Sequence, residues 1–130
     1  MQGKRVLVVD DDHRILDGTT RMLEEEGCEA HSTADPQTVL DEARRIRPDV
    51  ILLDVMMPKM NGYEVFEKLQ AEPSTSEIPV VLMTAKAITL RMPASYLHEL
   101  AGLVNKPFSK YQLINGLRAA LEKKKREQGH

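Results

Sequence analysis

The sequence predicts an α/β fold built on a parallel sheet, because short apolar runs alternate with amphipathic segments along the chain. Several of the apolar runs are apolar throughout, which is typical of strands covered by helices on both faces. Two of these runs also end in carboxylates, the first before three consecutive aspartates and another on a single aspartate. At 130 residues, the chain is long enough for one domain with a substantial core.

Five strands are predicted in chain order. The first, third and fourth are apolar throughout, whereas the second alternates because it contains Glu29 and His31, so we expect it at an edge of the sheet. The predicted strands are Arg5–Val9, Cys28–Ser32, Val50–Leu53, Pro79–Met83 and Gly102–Asn105.

Helices are predicted between the strands from apolar spacing and from capping signals. Asp12 is predicted to cap the first helix, and Asp35-Pro36 places a cap before proline at the first helical position of the second. Ser109 and Gln112 form a capping-box pattern at the start of the last helix. The residues predicted to be buried are Ile15, Leu16, Thr19, Met22 and Leu23, then Val39, Leu40, Ala43 and Ile46, then Val65, Phe66 and Leu69, and finally Leu113, Ile114, Leu117, Ala120 and Leu121.

Two segments depart from this regular pattern. Between Ala85 and Leu100 we expect an irregular fourth helix, because Pro93 lies in the middle. Residues 1–122 are predicted to form the domain, and residues 123–130 a basic tail that is a linker or an appended end. The run Lys123–Arg126 is predicted to be a solvated helix end, with a nucleic-acid or membrane tail as the alternative.

Composition excludes several classes of function. A net charge of -2 and the scarcity of aromatic residues argue against direct binding of nucleic acid or of an anionic membrane. No apolar stretch approaches the roughly 20 residues that span a bilayer. The single cysteine, Cys28, agrees with a reducing compartment, and the first strand begins too early for a signal peptide, so we expect a cytoplasmic protein.

The polar residues at the strand ends carry the chemistry. In an open parallel sheet, ligands bind outside the carboxyl ends of the strands, so Asp10, Asp11 and Asp54 should converge there. Carboxylates grouped in this way repel one another unless a cation holds them, and their hard oxygens suit Mg²⁺. Thr84 and Lys106 follow two further strands. Either residue alone would be unremarkable, but together with the carboxylates they suit a phosphoryl group held on an aspartate.

The chain resembles the receiver domain of two-component response regulators over nearly its whole length. Each matching piece is weak alone, but four pieces in the right order, each at a predicted strand end, are highly specific. They are Val8-Val9-Asp10-Asp11, Asp54 to Gly62, Thr84-Ala85 and Lys106-Pro107-Phe108.

The resemblance implies a fold and a function. The fold would be a flavodoxin-like, doubly wound sheet of five parallel strands in the order 2-1-3-4-5, with five helices. The function would be a phosphorylation-controlled signalling switch without substrate turnover of its own. It would accept a phosphoryl group from a histidine kinase or a histidine phosphotransfer protein and change its surface toward a downstream target or an attached output domain.

The resemblance also implies roles for individual residues. Asp54 would be the phosphoacceptor. Asp11 and Asp54 would bind Mg²⁺ directly, Asp10 mainly through water, and Met56 through its backbone carbonyl. Thr84 would contact the phosphoryl group and Lys106 would pair with it, and the Lys106-Pro107 bond is expected to be cis.

The chain departs from the family pattern at the switch position, where Leu103 stands in place of the usual aromatic residue. This departure and the unusual fourth helix motivate the alternative of a phosphorylation-independent interaction module. Met56 and Lys86 flank the expected approach of the hydrolytic water and are predicted to slow dephosphorylation. A Mg²⁺-dependent phosphohydrolase is disfavoured, because such enzymes place an acid/base aspartate where Met56 stands.

Overall fold

The parallel sheet is the frame on which the rest of the chain is arranged. The structure, a computed structural model, describes residues 1–57, 61–84 and 100–128. Five strands pair in the order β2-β1-β3-β4-β5, all parallel, as predicted. The strands are β1 (Arg5–Val9), β2 (Glu29–Thr33), β3 (Val50–Asp54), β4 (Val80–Thr84) and β5 (Gly102–Asn105).

The central strands are buried because their side chains are apolar on both faces. All five residues of β3 and of β4 are buried, whereas β2, at the edge, is only partly covered. Five predicted strand ends were wrong by one residue: both ends of β2, the last residue of β3 and both ends of β4. Cys28 lies before β2 rather than in it, and β3 and β4 run on to Asp54 and Thr84, because both polar residues still pair with the neighbouring strand.

Helices cover both faces. They are α1 (His13–Glu25), α2 (Val39–Ile46) preceded by a 3-10 turn (Pro36–Thr38), α3 (Gly62–Ala71) and the C-terminal helix (Lys110–Gln128). The predicted caps are confirmed: Asp12 accepts from the Arg14 amide, and Asp35 caps the 3-10 turn. The fourth helix predicted between residues 85 and 100 falls, apart from Leu100, outside the described residues.

The alternation of side chains along the strands divides the core into two layers. The layer between the sheet and the helices α2 and α3 includes Leu7, Leu53 and Phe66. The layer on the other face, under α1 and the C-terminal helix, includes Val8, Leu52 and Leu117. Because all five strands run in the same direction, their carboxyl ends meet at one rim. Within the described parts, no helix is long and apolar enough to cross a membrane.

Candidate functional site

Three carboxylates meet at the carboxyl rim of the sheet. Asp10 follows β1, Asp11 comes next to it, and Asp54 is the last residue of β3. One oxygen from each carboxylate lies within 4.8 Å of the other two. Asp10 and Asp54 are 0% and 4% exposed, whereas Asp11 is exposed to solvent. The predicted convergence of these carboxylates is therefore present in the structure.

Both oxygens of Asp10 are engaged. Oδ1 accepts a hydrogen bond from the Asp12 amide at 2.9 Å, and Oδ2 accepts one from Lys106 Nζ at 2.7 Å. The Asp10 amide in turn donates to the Thr33 carbonyl of β2 at 3.3 Å. Asp10 is thus held in place from both sides, whereas the neighbouring Asp11 side chain points to the solvent side of the cluster.

The two oxygens of Asp54 differ in the contacts that they make with the described residues. Its Oδ1 accepts a weak hydrogen bond from the Met56 amide at 3.4 Å and lies 3.1 Å from Lys106 Nζ. Its Oδ2 has no hydrogen-bond partner among residues 1–57, 61–84 and 100–128. Burial and the Asp10 carboxylate raise the pKa of Asp54 to about 6, against the lowering effect of Lys106. The folded protein therefore carries an unfavourable negative charge at this position.

Lys106 is the cation shared by these carboxylates. Burial lowers the pKa of its ammonium, but the hydrogen bonds to Asp10 and Asp54 outweigh that effect and raise it overall. Lys106 is therefore protonated and acts as a fixed positive charge. The peptide bond from Lys106 to Pro107 is cis, as predicted.

Thr84 is the last residue of β4, the strand that pairs with β3 at Asp54 on one side and with β5 on the other. The Lys106 amide donates to the Thr84 carbonyl at 2.9 Å, and Thr84 pairs with Asn105 in the parallel register. Thr84 is 1% exposed. Thr84 and Lys106 therefore lie at adjacent strand ends, Thr84 directly after Met83, which pairs with Asp54, and Lys106 in contact with Asp10 and Asp54.

One residue that supports the site was missed from the sequence. An added Cβ at Gly62, the first residue of α3, would lie 2.5 Å from the carbonyl oxygen of Asp54. The Gly62 amide also donates to the Val55 carbonyl at 2.7 Å. Glycine is therefore required where α3 begins against the end of β3. The signal was available, because Gly62 follows the helix cap Asn61 in the stretch already matched to the family.

The cluster suits a divalent cation. Three carboxylates meet here, and burial together with the nearby Asp10 carboxylate raises the pKa of Asp54. The donors are hard oxygens, and an octahedral Mg²⁺ ion commonly takes one or two carboxylates and keeps several waters. The residues present therefore fit this ion.

Two further predicted positions lie on the surface. Met56 is 61% exposed and Leu103 on β5 is 37% exposed. The structure brings the Met56 amide to Asp54, as described above, and it gives no contact that tests the predicted role of the Met56 carbonyl. Lys86 lies outside the described residues.

Such a site on a five-stranded 2-1-3-4-5 sheet defines a class of signalling domain. The chain belongs to the family of response regulator receiver domains, whose family model matches residues 6–118. Domains of this family are signalling switches of two-component systems.

Individual relatives agree with this assignment. The DNA-binding response regulator MtrA of Mycolicibacterium smegmatis is 36% identical over 124 residues, which cover 95% of this chain and 53% of MtrA. The response regulator PleD of Caulobacter vibrioides is 47% identical over 85 residues, which cover 62% of this chain and 18% of PleD. The chain thus spans about half the length, or less, of these relatives.

Solved structures also match. The chemotaxis protein CheY4 of Vibrio cholerae has a TM-score of 0.79 and 27% identity, with 91% of this chain and 98% of CheY4 covered. The N-terminal domain of a response regulator receiver protein from Methanoculleus marisnigri has a TM-score of 0.75 and 32% identity, with 88% and 93% covered.

Proposed function

We propose that this domain is a phosphorylation-controlled switch whose phosphoacceptor is Asp54. The observation that carries the proposal is the position of Lys106 Nζ, 2.7 Å from Asp10 and 3.1 Å from Asp54, in a cluster of three carboxylates. A buried group of this kind lowers stability, because its charges are only partly compensated. We infer that the group is kept for a function other than stability. Reception of a phosphoryl group is a purpose that uses every member.

The chemical step is a displacement at phosphorus. The Asp54 carboxylate attacks through an oxygen that is not held by Lys106, and a new P–O bond forms as the bond to the donor breaks. With a phosphohistidine donor, the P–N bond electrons return to the imidazole. The geometry supports Oδ2 as the attacking atom, since both described contacts of Asp54 are made by Oδ1.

The remaining groups would stabilise the transferred oxygens. Lys106 is protonated and reaches Asp54 directly, so its ammonium can move to a phosphoryl oxygen with little displacement. The Thr84 hydroxyl would donate to a second oxygen. These roles need no proton transfer from either residue.

Mg²⁺ would be held by Asp11 and Asp54 directly, by Asp10 through water and by the Met56 carbonyl. Bound there, the ion would supply charge neutralisation for the incoming phosphoryl group. The exposure of Asp11 supports direct contact with an ion that keeps several waters. The two hydrogen bonds already made by Asp10 support the indirect role given to it.

The phosphodonor would be a histidine kinase or a histidine phosphotransfer protein. MtrA is named as a DNA-binding response regulator, and this chain corresponds to about half of it. We infer that the signal passes from this domain either to an attached output domain or to a separate protein target. We take residues 1–122 as the unit that receives the phosphoryl group.

The test is incubation with acetyl phosphate and Mg²⁺, followed by intact mass measurement. We expect the mass of one phosphoryl group to be added to the wild type and to Asp49→Asn, and not to Asp54→Asn. Asp49 is a suitable control because it is an exposed carboxylate at the opposite end of β3.

Two other outcomes point to other functions. An unmodified mass with Mg²⁺ present favours a phosphorylation-independent interaction module, the alternative suggested by Leu103. Sustained turnover of a phosphate monoester would favour a phosphohydrolase, although the thioether of Met56 cannot transfer protons.

A further inference from the structure

The C-terminal helix extends beyond the part of the chain that matches the family. The match ends at residue 118, whereas the helix continues to Gln128. The last two turns contain Lys123, Lys124, Lys125 and Arg126. A uniformly charged helix end would ordinarily be solvated and would fray.

The four cations are not equivalent. The buried stripe of this helix consists of Leu113, Leu117 and Ala120, all 0% exposed. Residues three and four positions further on lie on the same face, so Lys123 and Lys124 continue the stripe. Lys125 and Arg126 lie on the outer face and are exposed.

The two inner lysines make specific contacts. Lys123 Nζ donates to the carbonyl of Leu100 at 3.0 Å, and Leu100 itself is buried. Lys124 Nζ pairs with Glu77 at 2.6 Å, and its side chain is only 20% exposed. The ion pair also lowers the pKa of the Glu77 carboxyl. Neither Lys125 nor Arg126 makes a hydrogen bond or ion pair with any described residue.

The contacted residues precede strands that end at the candidate site. Leu100 comes just before β5, and Lys106 follows the far end of the same strand. Glu77 comes just before β4, which ends on Thr84. Lys123 and Lys124 therefore contact residues just before β5 and β4, and the opposite ends of these strands lead to Lys106 and Thr84.

We propose that Lys123 and Lys124 form a latch that fixes the last two turns of the C-terminal helix to the starts of β4 and β5, so that the order of the helix end depends on the state of the site. Contact of Lys106 and Thr84 with a phosphoryl group would alter the ends of β5 and β4 by a small amount, and the latch would pass that change to the helix end. The regulatory part rests on the proposed function, whereas the latch itself does not.

The latch is tested by amide hydrogen exchange across residues 121–128 in the full chain. Lys123→Met keeps the aliphatic stem and removes the donor to Leu100, so we expect exchange about three- to tenfold faster in this segment. Lys124→Met should have a smaller effect of about twofold, because Glu77 is exposed. Lys125→Met is the matched control and should leave exchange unchanged.

Glu77→Gln provides an independent check from the other side of the ion pair. It should reproduce the effect of Lys124→Met on amide exchange. The double variant with Glu77→Gln and Lys124→Met should exchange no faster than either single variant. Exchange in Lys123→Met that equals that of Lys125→Met would overturn the latch.

The regulatory part is tested by adding beryllofluoride and Mg²⁺. Fluorine NMR reports whether the phosphoryl mimic binds, independently of the exchange measurement. With the mimic bound, we expect exchange in residues 121–128 to change at least twofold in the wild type, and not in Lys123→Met. Bound mimic with unchanged exchange in the wild type would refute the coupling. Absence of binding would instead count against the proposed function, and the variants would still decide whether the latch exists.

Discussion

Charged residues are placed differently at the carboxyl rim of the sheet, where the strands end, and at the amino rim, where the strands begin. At the carboxyl rim, Asp10 and Asp54 are buried and share Lys106. At the amino rim, charged residues stay near solvent and have their own partners, as in the pair of Lys124 with the exposed Glu77. Buried and partly compensated charge is costly, whereas exposed ion pairs change stability little. The contrast shows that the carboxyl rim holds charge at a cost in stability, whereas the ion pair at the amino rim changes stability little.

The largest effect should come from removing the cation of the carboxyl rim. Lys106→Met leaves Asp10 and Asp54 buried without their partner, so we expect the free energy of unfolding to fall by about 3 kcal/mol. Urea denaturation without metal measures this value. Lys110→Met is the control, because Lys110 pairs with the exposed Glu25 and its loss should change stability much less. Equal losses in the two variants would remove the distinction between the buried cluster and an exposed ion pair.

Mg²⁺ should stabilise the protein through the carboxyl rim alone. At a concentration a hundredfold above its dissociation constant, a ligand that binds only the folded state adds about 2.7 kcal/mol. Thermal unfolding with and without Mg²⁺ should show this gain in the wild type and in Asp49→Asn. Asp11→Asn should lose most of it, and chelation should reverse it. A gain that persists in Asp11→Asn would mean that the ion binds elsewhere.

The close packing of Gly62 against the backbone of Asp54 should not tolerate one added methyl group. Gly62→Ala places a Cβ against the Asp54 carbonyl, and we expect a loss of about 2 kcal/mol together with slower phosphorylation. Gly18→Ala, in the middle of α1 with open space around it, should instead stabilise by about 0.5–1 kcal/mol. Chemical denaturation of both variants makes the comparison, and a neutral Gly62→Ala would contradict the close packing.

The smallest expected effect is the pH dependence that Asp54 introduces in the absence of metal. Its pKa is raised to about 6 from an ordinary 3.8, so folding favours the protonated form. That stabilising contribution is complete below the unfolded pKa and is lost as pH rises through 6. Asp54→Asn stays neutral, so its stability relative to the wild type should increase by about 1–2 kcal/mol between pH 4 and pH 7.5. Parallel stability profiles for the two proteins would contradict the raised pKa.

Much of the fold followed from local pattern. The apolar runs predicted five strands, and the alternation of Glu29 and His31 predicted that β2 is an edge strand. The capping box at the C-terminal helix is also confirmed, since Ser109 Oγ accepts from the Gln112 amide at 3.1 Å and the Gln112 side chain accepts from the Ser109 amide at 2.9 Å. Such signals act over a few residues, which is why the sequence reveals them.

The side-chain contacts depended on distances that the pattern does not encode. Convergence of Asp10, Asp11 and Asp54 could be predicted because parallel strands share a rim. The pairing of Lys106 with Asp10 as well as Asp54 could not, since it depends on how far the side chain extends across the rim. The one-residue errors at β3 and β4 arose because Asp54 and Thr84 are polar yet still pair in the sheet. In both strands the run of apolar residues therefore ends one residue before the strand itself ends.

The most direct test of the central claim is chemical mapping of the phosphorylated residue. After treatment with acetyl phosphate and Mg²⁺, borohydride reduces an aspartyl phosphate to homoserine, which peptide mass spectrometry locates. We predict a single conversion at Asp54, absent without Mg²⁺. Conversion at another aspartate, or none in a protein that binds Mg²⁺, would contradict the account.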